Sequence, residues 1–294
     1  MPERAALKHL RIAFLAMTAL LLPVMPSATL GATGAETQAR ITRDISDGLP
    51  VVVHVIVALA DNENQGIVPV PRQLGNGQEP RSNLYWGALY GVRTFLAGQG
   101  GWTVTPVQQP GDSGIRERAV FFSNVQRAGR SVPVYIVADA WDGSEIRTAI
   151  EQFLTTASGG AMEEILVRQG SRDVSISAGG SAHLVAFVGH NGLMEFSVRG
   201  PMKRKDKAVA GSSIVLACSS KQYFYDKLRT VGSHPLLLTS GLMAPEAYTL
   251  DAAIRSWAAG DPVAATRHAA AAAYRKYQKT GLKAARSLFW GEEP

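Results

Sequence analysis

The stretch LPVVVHVIVALA, residues 49–60, is an apolar run rich in β-branched residues and interrupted only by His54, and it stops at the polar turn Asp61-Asn-Glu-Asn-Gln-Gly66. A strand reads this way when both of its faces are covered; a strand with one wet face would alternate polar and apolar residues. Two later runs share this texture: LVAFVGHNG over 184–192 and SIVLACS over 213–219. Between them and the first run, Val132 to Ala138 forms another strand. Asp139-Ala-Trp-Asp-Gly-Ser144 then leads into a helix with Ile146, Ile150, Phe153 and Leu154 on one side, which Asp142 or Ser144 can cap, capping being the favoured role for Asp142. Strands alternate with helices from residue 50 to 260. This predicts an α/β fold, a mainly parallel sheet with helices on both faces in three layers.

The remaining elements fit around that frame. Asn83 is expected to cap a helix through about Leu96, after a Pro- and Gly-rich loop over 67–81. Trp102 to Val107 and Ala119 to Phe122 read as short strands, and residues 158–180 as a hairpin or small helix. Gln222 to Arg229 and Pro245 to Ala259 read as helices, with Pro235 to Ser240 a strand between them. C-terminal helices follow over Pro262 to Lys279 and Lys283 to Phe289. The expected division is a signal peptide over 1–35, a linker over 36–48, the α/β domain over 49–260, and a helical extension packed on it over 261–294.

The first 35 residues carry Arg4, Lys8 and Arg11, then an almost uncharged apolar stretch from Ile12 to Met25, then small and turn-prone residues up to Ala35. That is a secretory signal layout with cleavage expected between Ala28 and Ala35. Pro23 interrupts the apolar stretch, which is shorter than the ~20 residues that span a bilayer. The expectation is an exported protein, periplasmic or secreted, with no stable membrane anchor after cleavage. The net charge of +6 falls to about +4 once Glu3, Arg4, Lys8 and Arg11 leave with the signal. The charges are scattered apart from Lys203-Arg-Lys-Asp-Lys207, so no nucleic-acid partner is expected. A single cysteine excludes an internal disulfide and leaves either an inert buried thiol or a reactive one.

That cysteine, Cys218, ends one apolar run, and His190 ends another 28 residues earlier. In open α/β sheets, chemistry sits just beyond the carboxyl ends of the strands, so neighbouring strands would deliver a thiol and an imidazole to one place. An imidazole beside a thiol stabilises the nucleophilic thiolate. Gly189 and Gly192 flank His190 and permit tight backbone geometry, and backbone N–H groups near Cys218 and Gly192 are candidate oxyanion donors. Tyr85 and Trp86 would line a cleft beside the loop, or serve as packing residues. Asn62 and Asn64, at the end of the first strand, are read equally as turn formers. His54, inside the first strand, is expected in the core or supporting the site from behind. His183 and His190 fall on opposite faces of one strand, so no metal site is expected. No G-x-S-x-G, P-loop, His-Glu-x-x-His or paired-cysteine motif is present, and no cofactor is expected.

With VAFVGHNG at 185–192, IVLACSS at 214–220 and the strand–helix unit VPVYIVADAWDGSEIRTAIEQFL at 132–154, the chain resembles the caspase-like cysteine peptidases, among them caspases, legumains and gingipains. The resemblance covers roughly residues 50–240. It implies a caspase-like sandwich in which Cys218 attacks a peptide or protein substrate through an acyl-enzyme and His190 is the base. It also implies that Asn62 orients the histidine, and Asp61 is a further orienter or specificity acid. Asn191 stands between His190 and Gly192, where the family usually has His-Gly, which bears on the oxyanion donor. Kinship with self-processing precursors would make residues 158–180 or Lys203 to Lys207 cleavage points. The alternative reading is a noncatalytic extracytoplasmic binding module on the same sheet.

Overall fold

A computed structural model describes residues 33–111, 114–198 and 211–293. Residues 1–32, which hold most of the expected signal, and the basic run Lys203 to Lys207 lie outside them. The apolar run around Val51 is β1 (Val51–Ala58), with all of its residues buried. It pairs in parallel with β4 (Arg130–Trp141) on one side and β7 (Leu184–Val188) on the other; Val53, for example, sits opposite Ile136 and Leu184. Beyond β7 come the parallel strands β8 (Ser212–Leu216) and β9 (His234–Thr239). The edges are antiparallel: β3 (Ile115–Arg127) and β2 (Thr103–Thr105) beyond β4, and β10 (Phe289–Trp290) beyond β9. The eight-stranded order is β10-β9-β8-β7-β1-β4-β3-β2.

Each face of the sheet has its own apolar core. On one, Val53, Val55 and Val57 of β1 and Leu184 and Ala186 of β7 pack against α1 (Gly34–Ser46), α2 (Val92–Ala97) and α5 (Ala247–Ala259), with α6 (Val263–Gln278) and α7 (Leu282–Leu288) completing the layer. On the other, Val52, Ile56, Val185 and Phe187 pack against α3 (Ile146–Ala157), α4 (Ser220–Val231) and the hairpin β5 (Glu163–Gln169) to β6 (Arg172–Ala178). Phe153, Phe187 and Phe224 make mutual ring contacts at centroid distances of 5.8 to 6.1 Å and join α3, β7 and α4. Burial of such side chains is worth roughly 1.5–3 kcal/mol each. The expected three-layer α/β sandwich with C-terminal helices is the architecture observed. Among the described residues, no helix is long and apolar enough to cross a membrane.

Three segments differ from expectation. The expected linker over 36–48 is mostly helix α1, opened by a capping box in which Thr33 and Glu36 bond reciprocally. Its buried residues are Thr37, Arg40 and Ile41, and Arg40 reaches the carbonyls of Ser181 and Ala182. A face buried through polar groups leaves no apolar period in the sequence. The helix expected from Asn83 to Leu96 is only Val92–Ala97. Asn83 instead accepts from Ala60 N–H and donates to the Ala60 and Asn76 carbonyls, fastening a series of turns to the end of β1. Those turns pack closely, since a Cβ at Gly87 would lie 2.0 Å from the Arg81 carbonyl oxygen. Finally, the expected extension also contributes to the sheet, because Phe289 and Trp290 pair with Thr239 and Leu238.

Candidate active site

Because β1 has β4 on one side and β7 on the other, the chain reverses its direction of travel across the sheet between β1 and β7, the position where open α/β sheets leave a crevice at the strand ends. A cavity of about 350 Å³ lies there. Its walls come from the loop after β1, the turn at Leu84 and Tyr85, the loop after β7 with His190, the end of β8 with Cys218, and the loop after β9. His190 and Cys218, far apart in sequence, therefore line one cavity.

The backbone around both residues is specialised. Gly189 has φ +151°, and a Cβ there would lie 2.9 Å from the Ala58 carbonyl oxygen, so glycine is what lets the chain turn out of β7 against β1. Ser219, directly after Cys218, is left-handed (φ 50°, ψ 32°), a conformation that costs a non-glycine residue roughly 1–2 kcal/mol. The surrounding bonds hold it: Ser219 N–H donates to the Gly241 carbonyl at 2.8 Å. Ser220 Oγ donates to the Val215 carbonyl, Ser220 N–H to Thr239 Oγ1, and Thr239 Oγ1 to the Ala217 carbonyl. Cys218 thus sits on a sharp, pinned turn between β8 and α4.

The histidine is oriented by a residue the sequence reading passed over. His190 Nε2 lies 2.5 Å from Glu195 Oε1, and the same oxygen accepts from Gly66 N–H at 3.0 Å. A carboxylate partner assigns the proton to Nε2 and leaves the Nδ1 lone pair free to accept one. Glu195 is brought back toward His190 by one turn of 3₁₀ helix over Gly192–Met194. Only an acidic residue five positions after the histidine, past a glycine, could have hinted at this.

Several expected roles change. Asn62 does not reach His190: its side chain donates to the Val70 carbonyl and accepts from Val70 N–H, closing the loop after β1. Asp61 is a buried turn former, accepting from the Glu63 and Asn64 N–H groups and the Asn64 amide, and it does not line the cavity. Trp86 is fully buried and donates to Glu117, so it is a packing residue. Tyr85 does line the cavity; burial, reinforced by the nearby Glu246 carboxylate, pushes its hydroxyl pKa up. Gly192 N–H already donates to the His190 carbonyl at 3.2 Å, which removes it as an oxyanion donor. Asn191 is fully buried and ties the two strand ends together, its amide donating to the Cys218 carbonyl at 2.6 Å while its oxygen accepts from Leu193 N–H. Asp142 accepts from Ser144 N–H and so caps the 3₁₀ turn Gly143–Glu145 that leads into α3, whereas α3 itself, with Glu145 at its N-cap, has no side-chain cap; Asp142 is also paired with Arg116.

No protein family, curated protein or solved structure matches the chain.

A larger cavity of about 570 Å³ lies beneath the β5–β6 hairpin, lined by His54, Arg118, Asp139 and Glu163. His54, Asp139 and Glu163 are the one group of three potential metal ligands close together among the described residues. Arg118 forks onto both carboxylates, at 2.6 and 2.7 Å to Asp139 and 2.9 Å to Glu163, so a guanidinium already supplies the positive charge a metal would bring. Burial opposes the charge on Asp139, but hydrogen bonds from Arg118 and His54 outweigh it and hold the carboxyl below its usual range. His54 is the core histidine expected, with Nδ1 accepting from Gly179 N–H. This cavity has no thiol in its lining, and the Asp139 and Glu163 carboxylates are both held by Arg118. The smaller cavity, with a thiol and an oriented imidazole, is the candidate active site.

Proposed function

We propose that the chain is an exported cysteine peptidase of the caspase-like kind, with Cys218 as nucleophile, His190 as general base and then acid, and Glu195 as the residue that orients it. The observation that carries this reading is the pairing of His190 with Glu195 at 2.5 Å on the wall of the cavity that also holds Cys218. A thiol, an imidazole and a carboxylate in series form the arrangement that activates a cysteine for acyl transfer. In the proposed reaction His190 Nδ1 takes the thiol proton and the Cys218 sulfur attacks the substrate carbonyl. The proton then passes to the departing amine, leaving a thioester on Cys218. Water, deprotonated by His190, releases the acid and restores the thiol. The strand–turn position of both residues agrees with the resemblance to the caspase-like family, and a peptide or protein substrate follows from it.

One observation favours the noncatalytic binding module. Cys218 Sγ donates to the Met243 carbonyl at 3.6 Å, and Met243 N–H points at Sγ at 3.4 Å, so backbone groups engage the thiol at rest. The two readings separate in the rate of Cys218 alkylation by iodoacetamide as a function of pH. Activation predicts fast reaction well below pH ~8 that slows in His190→Ala. An ordinary thiol profile that is the same in both proteins would support the binding module.

A further inference from the structure

The proposed nucleophile opens onto a surface with a chemical character of its own. Three of the chain's exposed large apolar side chains, Val68 at 85%, Leu242 at 76% and Met194 at 45% exposure, all rim the cavity that holds Cys218 and His190. Ile67, Val70 and Met243 continue the lining inward. These residues come from separate loops, after β1, β7 and β9, so no single strand's pattern put them together. No arginine or lysine is among the lining residues, so an acidic side chain would find no counter-charge there. The one carboxylate is Glu246, whose Oε2 already accepts from the Tyr248 hydroxyl at 2.6 Å and the Gln278 amide at 2.9 Å.

We infer that this cavity receives a large apolar side chain of the substrate, of the leucine, methionine or phenylalanine class, next to the bond that Cys218 attacks. The inference rests on the cysteine-peptidase reading. Burying such a side chain against the rim removes apolar surface from water on both partners, whereas a carboxylate or guanidinium would have to give up its hydration. Exposed apolar residues gathered at one cleft are the arrangement expected of a recognition surface.

The test uses the full mature chain and a set of peptidyl chloromethyl ketones that differ only in the residue beside the warhead: Leu, Phe, Gly, Asp or Arg. Labelling of Cys218, the one thiol in the chain, is followed by intact mass, with iodoacetamide as the reagent that needs no binding. The Leu and Phe probes are expected to react about tenfold or more faster than the Gly, Asp and Arg probes. A Val68→Gln/Leu242→Gln variant, altered at exposed positions only, should lose that preference and keep its iodoacetamide rate. Faster labelling by the Arg probe would assign the pocket to Glu246 and overturn the inference, as would equal rates across the set, while either result leaves the nucleophile intact. If no peptidyl probe outpaces iodoacetamide, the peptidase reading fails and this inference with it.

Discussion

Glu195 Oε1 joins two loops at once, meeting His190 Nε2 at 2.5 Å and the Gly66 N–H at 3.0 Å. The carboxylate fixes which imidazole nitrogen carries the proton and holds the loop after β1 against the loop after β7. Gly66 is the residue that permits this, since a Cβ there would fall 2.1 Å from the same oxygen. Both walls of the cavity therefore depend on one side chain.

Replacing Glu195 by Gln keeps the shape and removes the charge. We expect Cys218 alkylation near neutral pH to slow by about tenfold, with global stability changed by less than about 1 kcal/mol, because the pair is partly exposed. The measurement is the pH–rate profile beside urea unfolding. An unchanged profile would reduce Glu195 to a loop tie.

Ser219 invites the opposite experiment. Its left-handed backbone suits glycine and resists a β-branched residue. Ser219→Gly is expected to be neutral or slightly stabilising and Ser219→Val destabilising, a separation of about 1–2 kcal/mol in equilibrium unfolding. Equal stabilities would mean that the turn relaxes in solution.

Arg118 is buried between Asp139 and Glu163. Arg118→Met should cost about 3–5 kcal/mol, because it strands carboxylate charge in the core. Adding Asp139→Asn should recover part of that loss. A double-mutant cycle read by denaturant unfolding checks both steps, and additive losses would show that the charges are not coupled.

His183 supplies a pH dependence. It accepts from Val52 N–H at Nδ1 and faces Asp44 at Nε2, and burial, helped by the nearby charge of Arg40, lowers its pKa to about 4 despite Asp44. In the unfolded chain it protonates near 6.5. Between those values the unfolded state binds more protons, so this contribution is complete above pH 6.5 and is lost as pH falls toward 4. Stability should drop by about 3 kcal/mol across that window, and His183→Gln should flatten the slope. Calorimetry from pH 7 to 4 makes the comparison; parallel curves would argue against it.

What the sequence discloses follows from how each segment is buried. β1, β7 and β8 are legible because helices cover both of their faces and every position except His54 is apolar or small. The ends of those strands then point to His190 and Cys218. Helix α1 is illegible because Arg40 and Thr37 are its buried contacts, although Thr33 and Glu36 spell its capping box. Trp86 and Tyr85 are adjacent and chemically alike, yet one points into the core and the other to the cavity, a difference set by the turns around Asn83. Glu195 is hidden because its partnership depends on a reversal of the chain, and Asn191 because its ligand is a backbone carbonyl 27 residues away.

The order of the strands has a consequence for how the molecule assembles. The first strand in the chain lies inside the parallel set, and its neighbours are residues 134–141 and 184–188. VVVHVIVA must therefore wait for distant partners, with one edge unpaired until residues 134–141 are made and the other until residues 184–188 are. Such long-range closure makes refolding slow and sensitive to protein concentration. A fragment ending before Val188 would keep one edge of that strand bare, so proteolysis or truncation in that region should yield insoluble chains rather than a smaller folded protein.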